Sequence, residues 1–320
     1  MTADIRTRLR IADKEAISAA AKILRRGGLV ALPTETVYGL GANAADDAAV
    51  AGIFAAKGRP KFNPLIVHVR DYEHAAEHGV FPALARDLAA AFWPGPLTLV
   101  VPRKENCELS LLVSAGLDTV AMRAPSHPIA QKLLLESKLA IAAPSANPSG
   151  RLSATSAADV AEALDGEVDL ILDGGPCPVG IESTVIGFDG ETAILLRPGA
   201  IARSELEPIT GALKSPKQGR VSSPGMLESH YAPNAKLRLD AKHPKKNEAF
   251  LAFGPITTDA ETTLNLSPRG DTREAAANLF AMLRKLDASG ATTIAVMPIP
   301  DEGLGEAIND RLRRAAAPRS

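Results

Sequence analysis

Two periods alternate along the first two thirds of the chain. Apolar residues three and four apart predict helices over 14–26, 48–56, 82–92, 128–137 and 155–164. The first of these puts Ile17, Ala20, Ala21 and Leu24 on one face. Between them, short apolar blocks at 29–32, 65–67, 97–101, 119–123, 139–143 and 168–172 read as buried strands. The punctuation agrees: Gly27-Gly28 stops the first helix, Asp46 or Asp47 caps the second, and Ser126 and Pro128 open the fourth. A hairpin follows, 181–185 returning over 192–196, with Asp189-Gly190 as its type I′ turn signal. This alternation belongs to the α/β (α+β) class.

The pattern changes after about residue 208. Residues 214–223 are polar, carry Pro and Gly, and have no hydrophobic period, as a linker would. Met226, His230 and Tyr231 then occur within the segment 222–233, which a plain linker has no packing reason to carry; it reads as a loop docking onto a site. Beyond it, strands are predicted at 236–239, 250–253 and 293–297 with two helices, the first opening at Asp271-Thr272-Arg273-Glu274 and stopping at Gly290. Leu279, Met282, Leu283 and Leu286 form its core face, and 309–314 reads as a polar helix face. At 320 residues two domains are expected: 1–208, a linker at 209–235, and a small α/β unit at 236–320.

Composition removes several classes of function. With a net charge of −1, no global field recruits nucleic acid or anionic membrane, so any such binding needs a local patch. Cys107 and Cys177 are the only cysteines, without metal-ligand spacing, which argues against structural zinc or a disulfide scaffold. No apolar h-region follows the arginines near the N-terminus, and no apolar run approaches the roughly 20 residues of a membrane span. A soluble, cytoplasmic protein with no membrane partner is expected.

Candidate chemistry gathers in four stretches. Lys57-Gly58-Arg59-Pro60-Lys61-Phe62-Asn63-Pro64 sets cations and an amide on a loop stiffened by Gly and Pro, directly before the strand that ends in His68. Fixed cations at a strand edge suit a polyphosphate. Pro33-Thr34-Glu35-Thr36-Val37-Tyr38 brings hydrogen-bonding side chains to another strand end, and Ser145, Asn147 and Ser153 lie on a proline-limited loop after a third. Arg123, in the mostly apolar strand 119–123, shares a face with Thr119 and Ala121, and needs either an ion-pair partner or a substrate carboxylate. Gly39 to Ala44 fits a loose dinucleotide pattern but lacks the acidic residue about 20 positions on, and no P-loop occurs. No Ser/His/Asp arrangement is defensible, so Ser183 reads as a hydrogen-bonding hydroxyl.

Taken together, Pro33 to Leu40, the Lys57-x-Arg59 loop with Asn63-Pro64-Leu65, Ser145-x-Asn147 and Glu182-Ser183-Thr184-Val185 resemble threonylcarbamoyl-AMP synthases of the YrdC/Sua family. The Ser-Pro-Gly-Met…His230-Tyr231-Ala232-Pro233 segment and the C-terminal unit resemble its longer, two-domain form. One departure is Ala154, where the family often has Pro. The resemblance implies a twisted, mostly buried sheet with flanking helices around a concave basic cavity, and a small Rossmann-like C-terminal domain. It implies formation of threonylcarbamoyl-AMP and pyrophosphate from L-threonine, bicarbonate and ATP for tRNA threonylcarbamoyladenosine synthesis, with a transferase complex acting downstream. By the same resemblance Lys57 and Arg59 are catalytic. Lys57, Arg59, Asn63, Thr119, Ser145, Asn147, Ser153, Arg197 and Tyr231 serve ATP, and Thr36, His68, Arg123, Ala143 (through its backbone) and Ser183 serve threonine. Mg²⁺ is expected on the nucleotide rather than on protein side chains, with no organic cofactor, and residues 224–233 as a lid. The competing expectation is a non-catalytic double-stranded RNA or tRNA-binding module. A carbamoyl-transfer domain of the hydrogenase-maturation type lacks support, since its zinc-finger-like cysteines and acylphosphatase-like segment are missing.

Overall fold

A computed structural model describes residues 7–60, 62–216, 230–256 and 262–318. In chain order the first unit runs β1 (Arg8–Ile11), α1 (Lys14–Arg25), β2 (Val30–Leu32), β3 (Gly39–Asn43), α2 (Asp47–Lys57), β4 (Ile66–His68), α3 (Tyr72–Ala76), α4 (Ala83–Phe92), β5 (Leu97–Pro102), β6 (Thr119–Arg123), α5 (Pro128–Ser137), β7 (Ile141–Ala142), α6 (Ala157–Leu164), β8 (Leu170–Asp173), β9 (Thr184–Asp189), β10 (Thr192–Arg197) and α7 (Arg203–Thr210). Caps fix the helix starts: Asp13 accepts from the Ala16 N–H, and Asp46 from those of Ala48 and Ala49. α2 ends where Gly58 takes φ +57°, a left-handed stop that releases the chain into the basic loop.

The ten strands form one mixed sheet in the order β1-β8-β2-β3-β7-β4-β6-β5-β9-β10. Two registers place the site. β4 runs parallel to β6 with His68 beside Arg123, and β5 runs parallel to β9 with Leu97 beside Thr184. Since side chains alternate, Ile66, His68, Ala121 and Arg123 share one face, while Val67 and Met122 point into the main core on the other. One face carries the main core; on the other, α1 and α5 cover β8, β2 and β7, and the stretch around Ile66, His68 and Arg123 lines a concavity.

The second unit has β11 (Lys236–Arg238), β12 (Ala249–Ala252), β13 (Thr263–Asn265), α8 (Thr272–Ala288), β14 (Thr293–Val296) and α9 (Gly305–Ala316). Its sheet, β11-β14-β12-β13, is parallel throughout. Its core is shared: Val37, Leu152, Ile181 and Tyr231 pack in one cluster with Leu279, Phe280 and Ile308. At Gly180 (φ +75°) the approach is so close that a Cβ would lie 2.5 Å from the Ala277 Cα on α8.

Three expectations need adjustment. Asp189 pairs with Thr192, so the hairpin loop is Gly190-Glu191 rather than Asp189-Gly190; Gly190, at φ +61°, takes the first loop position, where a left-handed residue is needed. β1, a four-residue alternation of Arg8 and Arg10 with Leu9 and Ile11 that is too short to stand out, adds an edge strand beside β8. Residue 208 falls inside α7, and Lys214 still bridges β10, so the first sheet holds the chain beyond the expected boundary. Residues 217–229 of the expected linker lie outside the described residues.

Candidate active site

The concave face is floored by Ile66, His68 and Arg123 and walled by the loops leaving β2, β7 and β8 and by the end of β10. Thr36, His68, Arg123, Ala143, Ser145, Ser183, Arg197, Arg59 and Tyr231 meet there, joined by Thr34, Glu182 and His230. They come from segments more than 190 residues apart, and the sheet register brings them together.

On one side, Arg123 is buried and fully directed. Its Nη2 pairs with Glu35 Oε1 at 2.7 Å, Nη1 donates to Thr36 Oγ1 at 2.9 Å, and Nε donates to Gly95 O at 3.1 Å. Thr34 and Thr36 share a hydroxyl–hydroxyl bond of 2.9 Å. Burial pushes Glu35 toward protonation, but the Arg123 guanidinium outweighs it and holds the carboxyl below its usual range. Ala143 donates its N–H to Ile66 O at 2.9 Å, which leaves its carbonyl as the group it can offer.

On the other side, Arg59 donates from Nε to Asn63 O (3.3 Å) and from Nη2 to Pro64 O (2.9 Å), fixing the plane of its guanidinium. Burial lowers its pKa to about 10, still cationic at neutral pH. Arg197 donates to the Ser183 carbonyl at 2.8 Å and to its hydroxyl at 3.1 Å, and Ser183 also meets Thr98 at 2.8 Å. Ser183 is thereby fixed between Arg197 and Thr98. The approach is tight, since a Cβ on Gly199 would lie 2.4 Å from the Ser183 carbonyl carbon.

Five expected residues do not line the cavity. The Lys57 ammonium is buried and donates to the carbonyls of Ser145 (2.6 Å) and Asn147, while the Ser149 N–H returns to Lys57 O at 2.8 Å. Burial drives its pKa well below the usual lysine range. Lys57 thus ties down the serine loop from behind, its side-chain nitrogen donating to two carbonyls. Asn147 secures the same loop, its Nδ2 donating to Pro148 O and Arg151 O. Ser153 donates to Glu182 at 2.5 Å. Asn63 is fully buried, and neither side-chain polar atom has a partner among the described residues, which marks it as a group prepared for a ligand or water. Thr119 shares the face of Arg123 but lies four residues away, about 13 Å at the rise of a strand, and pairs with Pro102 at the far end.

Glu182 and His230 carry no assigned role in the sequence reading, and Arg311 belongs there to a polar helix face. Glu182 stands in the Glu182-Ser183-Thr184-Val185 motif, which is the signal that could have marked it. Of the stretch 224–233 expected to act as a lid, 224–229 lies outside the described residues; His230 and Tyr231 reach the cavity.

Burial lowers His68 and His230 to about 3, so both rings are neutral in the folded chain. The unfolded chain takes up these protons near pH 6.5 while the native chain does not, so stability falls as pH drops below 6.5 and keeps falling toward 3. Two such groups give a slope of up to about 2.7 kcal/mol per pH unit. Urea midpoints measured from pH 7.5 to 4.5 should fall accordingly; a flat profile would contradict the buried neutral rings.

The fold and site define a YrdC-type sheet with a buried cationic cavity, closed on one side by a small parallel α/β domain. A family profile described as Telomere recombination (Sua5/yciO/yrdC) matches residues 22–199, and one described as Threonylcarbamoyl-AMP synthase, C-terminal domain, matches 201–317. The chain is 42% identical over 324 residues to the threonylcarbamoyl-AMP synthase of Bacillus subtilis, covering 95% of this chain and 93% of that protein. It is 36% identical to that of Schizosaccharomyces pombe, covering 95% of this chain and 89% of that protein. The crystal structure of Pyrococcus abyssi Sua5 complexed with L-threonine matches at a TM-score of 0.88 and 40% identity, over 97% of both chains. The chain belongs to the two-domain Sua5/yciO/yrdC family. No helix among the described residues is long and apolar enough to cross a membrane.

Proposed function

We propose that the protein is a threonylcarbamoyl-AMP synthase, a nucleotidyltransferase that joins L-threonine, bicarbonate and ATP into threonylcarbamoyl-AMP and pyrophosphate for tRNA threonylcarbamoyladenosine synthesis. The observation that carries this reading is one cavity with two differently built sides. Arg59 and Arg197 form the side suited to a triphosphate, with Lys57 and Asn147 holding the serine loop beside them. Thr36, His68, Arg123 and the Ala143 carbonyl form the side suited to a small zwitterion. Arg123 keeps guanidinium protons for a carboxylate, and the Ala143 carbonyl can accept from an ammonium or hydroxyl group.

In this reading the neutral threonine amine forms a C–N bond to bicarbonate, whose C–O bond breaks to release water with the amine proton, or to CO₂, with the amine proton lost to solvent; either route gives a carbamate. A carbamate oxygen then forms a bond to the α-phosphorus, the bond from that phosphorus to the bridging oxygen breaks, and pyrophosphate leaves with the electron pair. The residues act by positioning and by stabilising charge, without a covalent enzyme intermediate. Neutral His68 can accept or donate one hydrogen bond without adding charge beside the amine. Burial raises the Cys177 thiol to about 12, which removes it as a nucleophile. The carboxylate lining the cavity, Glu182, is committed to Arg311, and Glu35, beside the cavity, to Arg123. Mg²⁺ therefore fits best on the triphosphate, where it would neutralise charge on the leaving pyrophosphate. The product would pass to a transferase that acts on tRNA. An RNA-binding surface fits less well, because Lys57, Arg59 and Arg197 are each less than 10% exposed and cannot reach phosphates of a duplex.

The test is pyrophosphate release from Mg²⁺-ATP by the purified chain, with threonine and bicarbonate each supplied or withheld. Release that requires both is the expected result. Release that ignores threonine, or none at all from folded protein, would overturn the reading.

A further inference from the structure

Helix α9 carries a buried cation that the reaction as described does not use. Arg311 is 1% exposed and, by residue volume, the largest fully buried side chain among the described residues. A guanidinium taken out of water needs partners, and this one finds them in the other domain. Nε donates to Glu182 Oε2 at 2.7 Å and Nη1 to Pro198 O at 2.9 Å, with Asp310 Oδ2 at 2.8 Å on its own helix. The remaining Glu182 oxygen accepts from Ser153 at 2.5 Å. The guanidinium carbon also lies 5.3 Å from the centroid of the Tyr231 ring, which Phe280 of α8 backs at 5.6 Å. Tyr231 has φ +62°, a conformation that a residue with a Cβ keeps only where its surroundings over-determine it.

Glu182 is the carboxylate on the cationic side of the cavity, and its electrostatic neighbours include Arg197 as well as Arg311. A carboxylate free to turn toward Arg197 would neutralise a cation that a triphosphate needs. Arg311 prevents this by holding the charge from behind, in a position that also orders Ser153 and the Tyr231 ring. We infer that Arg311 is a positioning residue for nucleotide binding, acting from the C-terminal domain through Glu182, Ser153 and Tyr231. That the nucleotide is ATP rests on the synthase reading. Among the described residues, the polar partners of Arg123 are Glu35, Thr36 and Gly95, none of them in this cluster, so threonine binding should be insensitive to it.

Calorimetric titration of the full chain with ATP, and separately with threonine, tests the inference. Arg311→Met should weaken ATP binding about 10- to 100-fold, as loss of a partner from a buried charge pair does, and leave threonine affinity within about threefold. In a Glu182→Gln background the same substitution should change ATP affinity by less than about threefold, because the charge it restrains is gone. Unchanged ATP affinity, an equal loss for both ligands, or full additivity with Glu182→Gln would overturn the inference. If Arg311→Met does not fold, Arg311→Lys decides, since it keeps the charge but not the fork: at least fivefold weaker ATP binding is expected, and wild-type affinity refutes. Wild-type protein that binds ATP without threonine-dependent turnover would sink the synthase reading and leave this inference standing; wild-type protein that binds no ATP would sink both.

Discussion

Arg59→Ala should lower kcat/KM for ATP about 10²- to 10³-fold, the loss that follows removal of one preorganised donor facing developing charge. The expectation comes from how the guanidinium is held. Two of its nitrogens are spent on the carbonyls of Asn63 and Pro64, within five residues of its own position, so the side chain cannot relax away from the cavity it lines. Such fixation makes the donor effective in the transition state, because no reorganisation is needed when charge moves onto the leaving group. Arg59→Lys should recover only part of the activity: a lysine keeps the charge but cannot satisfy two carbonyls and a phosphate in one plane. Steady-state pyrophosphate release with ATP varied at saturating threonine checks both variants. Activity of Arg59→Ala within threefold of wild type would remove this residue from the reaction.

The elements that position Arg59 were legible in the sequence because they depend on local signals. Asp46 as a cap, Gly58 and Pro60 as loop residues and the apolar block before His68 each act within a few residues, and the structure places α2, the basic loop and β4 accordingly. What local pattern cannot carry is the partner of a polar group. Arg311 read as part of a polar helix face because its period along 309–314 is that of a solvated one; the carboxylate that makes its burial tolerable stands 129 positions earlier. Lys57 posed the same problem in reverse. Its neighbours in sequence suggested an anion, and the fold surrounds it with carbonyls instead. β1 differs again: Leu9 and Ile11 do alternate with Arg8 and Arg10, but over only four residues, and an edge strand exposed on both faces needs no apolar partner to mark it.

Arg123 is where the sequence left two roles open, a structural ion pair or a fork for a substrate carboxylate, and a pair of variants separates them. Arg123→Met should destabilise the fold by about 3–5 kcal/mol, because it strands the Glu35 carboxylate in the interior. The deficit should depend on pH with a definite sign. Without its arginine, buried Glu35 has a folded-state pKa above its unfolded value, so the variant's native state binds the extra proton. Its deficit relative to wild type therefore narrows as pH falls from 7.5 toward 5. Adding Glu35→Gln removes the stranded charge and should restore most of the lost stability, as replacing both members of a buried pair usually does. If the guanidinium also holds threonine, as its bond to Thr36 Oγ1 and its place on the cavity floor favour, the double variant should be nearly as stable as wild type yet bind threonine about 10- to 100-fold more weakly. Urea unfolding and threonine titration on the same samples read out the two roles independently. A single variant as stable as wild type would show that the pair contributes nothing to folding. A double variant with wild-type threonine affinity would assign Arg123 to structure alone, and leave His68, Thr36 and the Ala143 carbonyl to hold the amino acid.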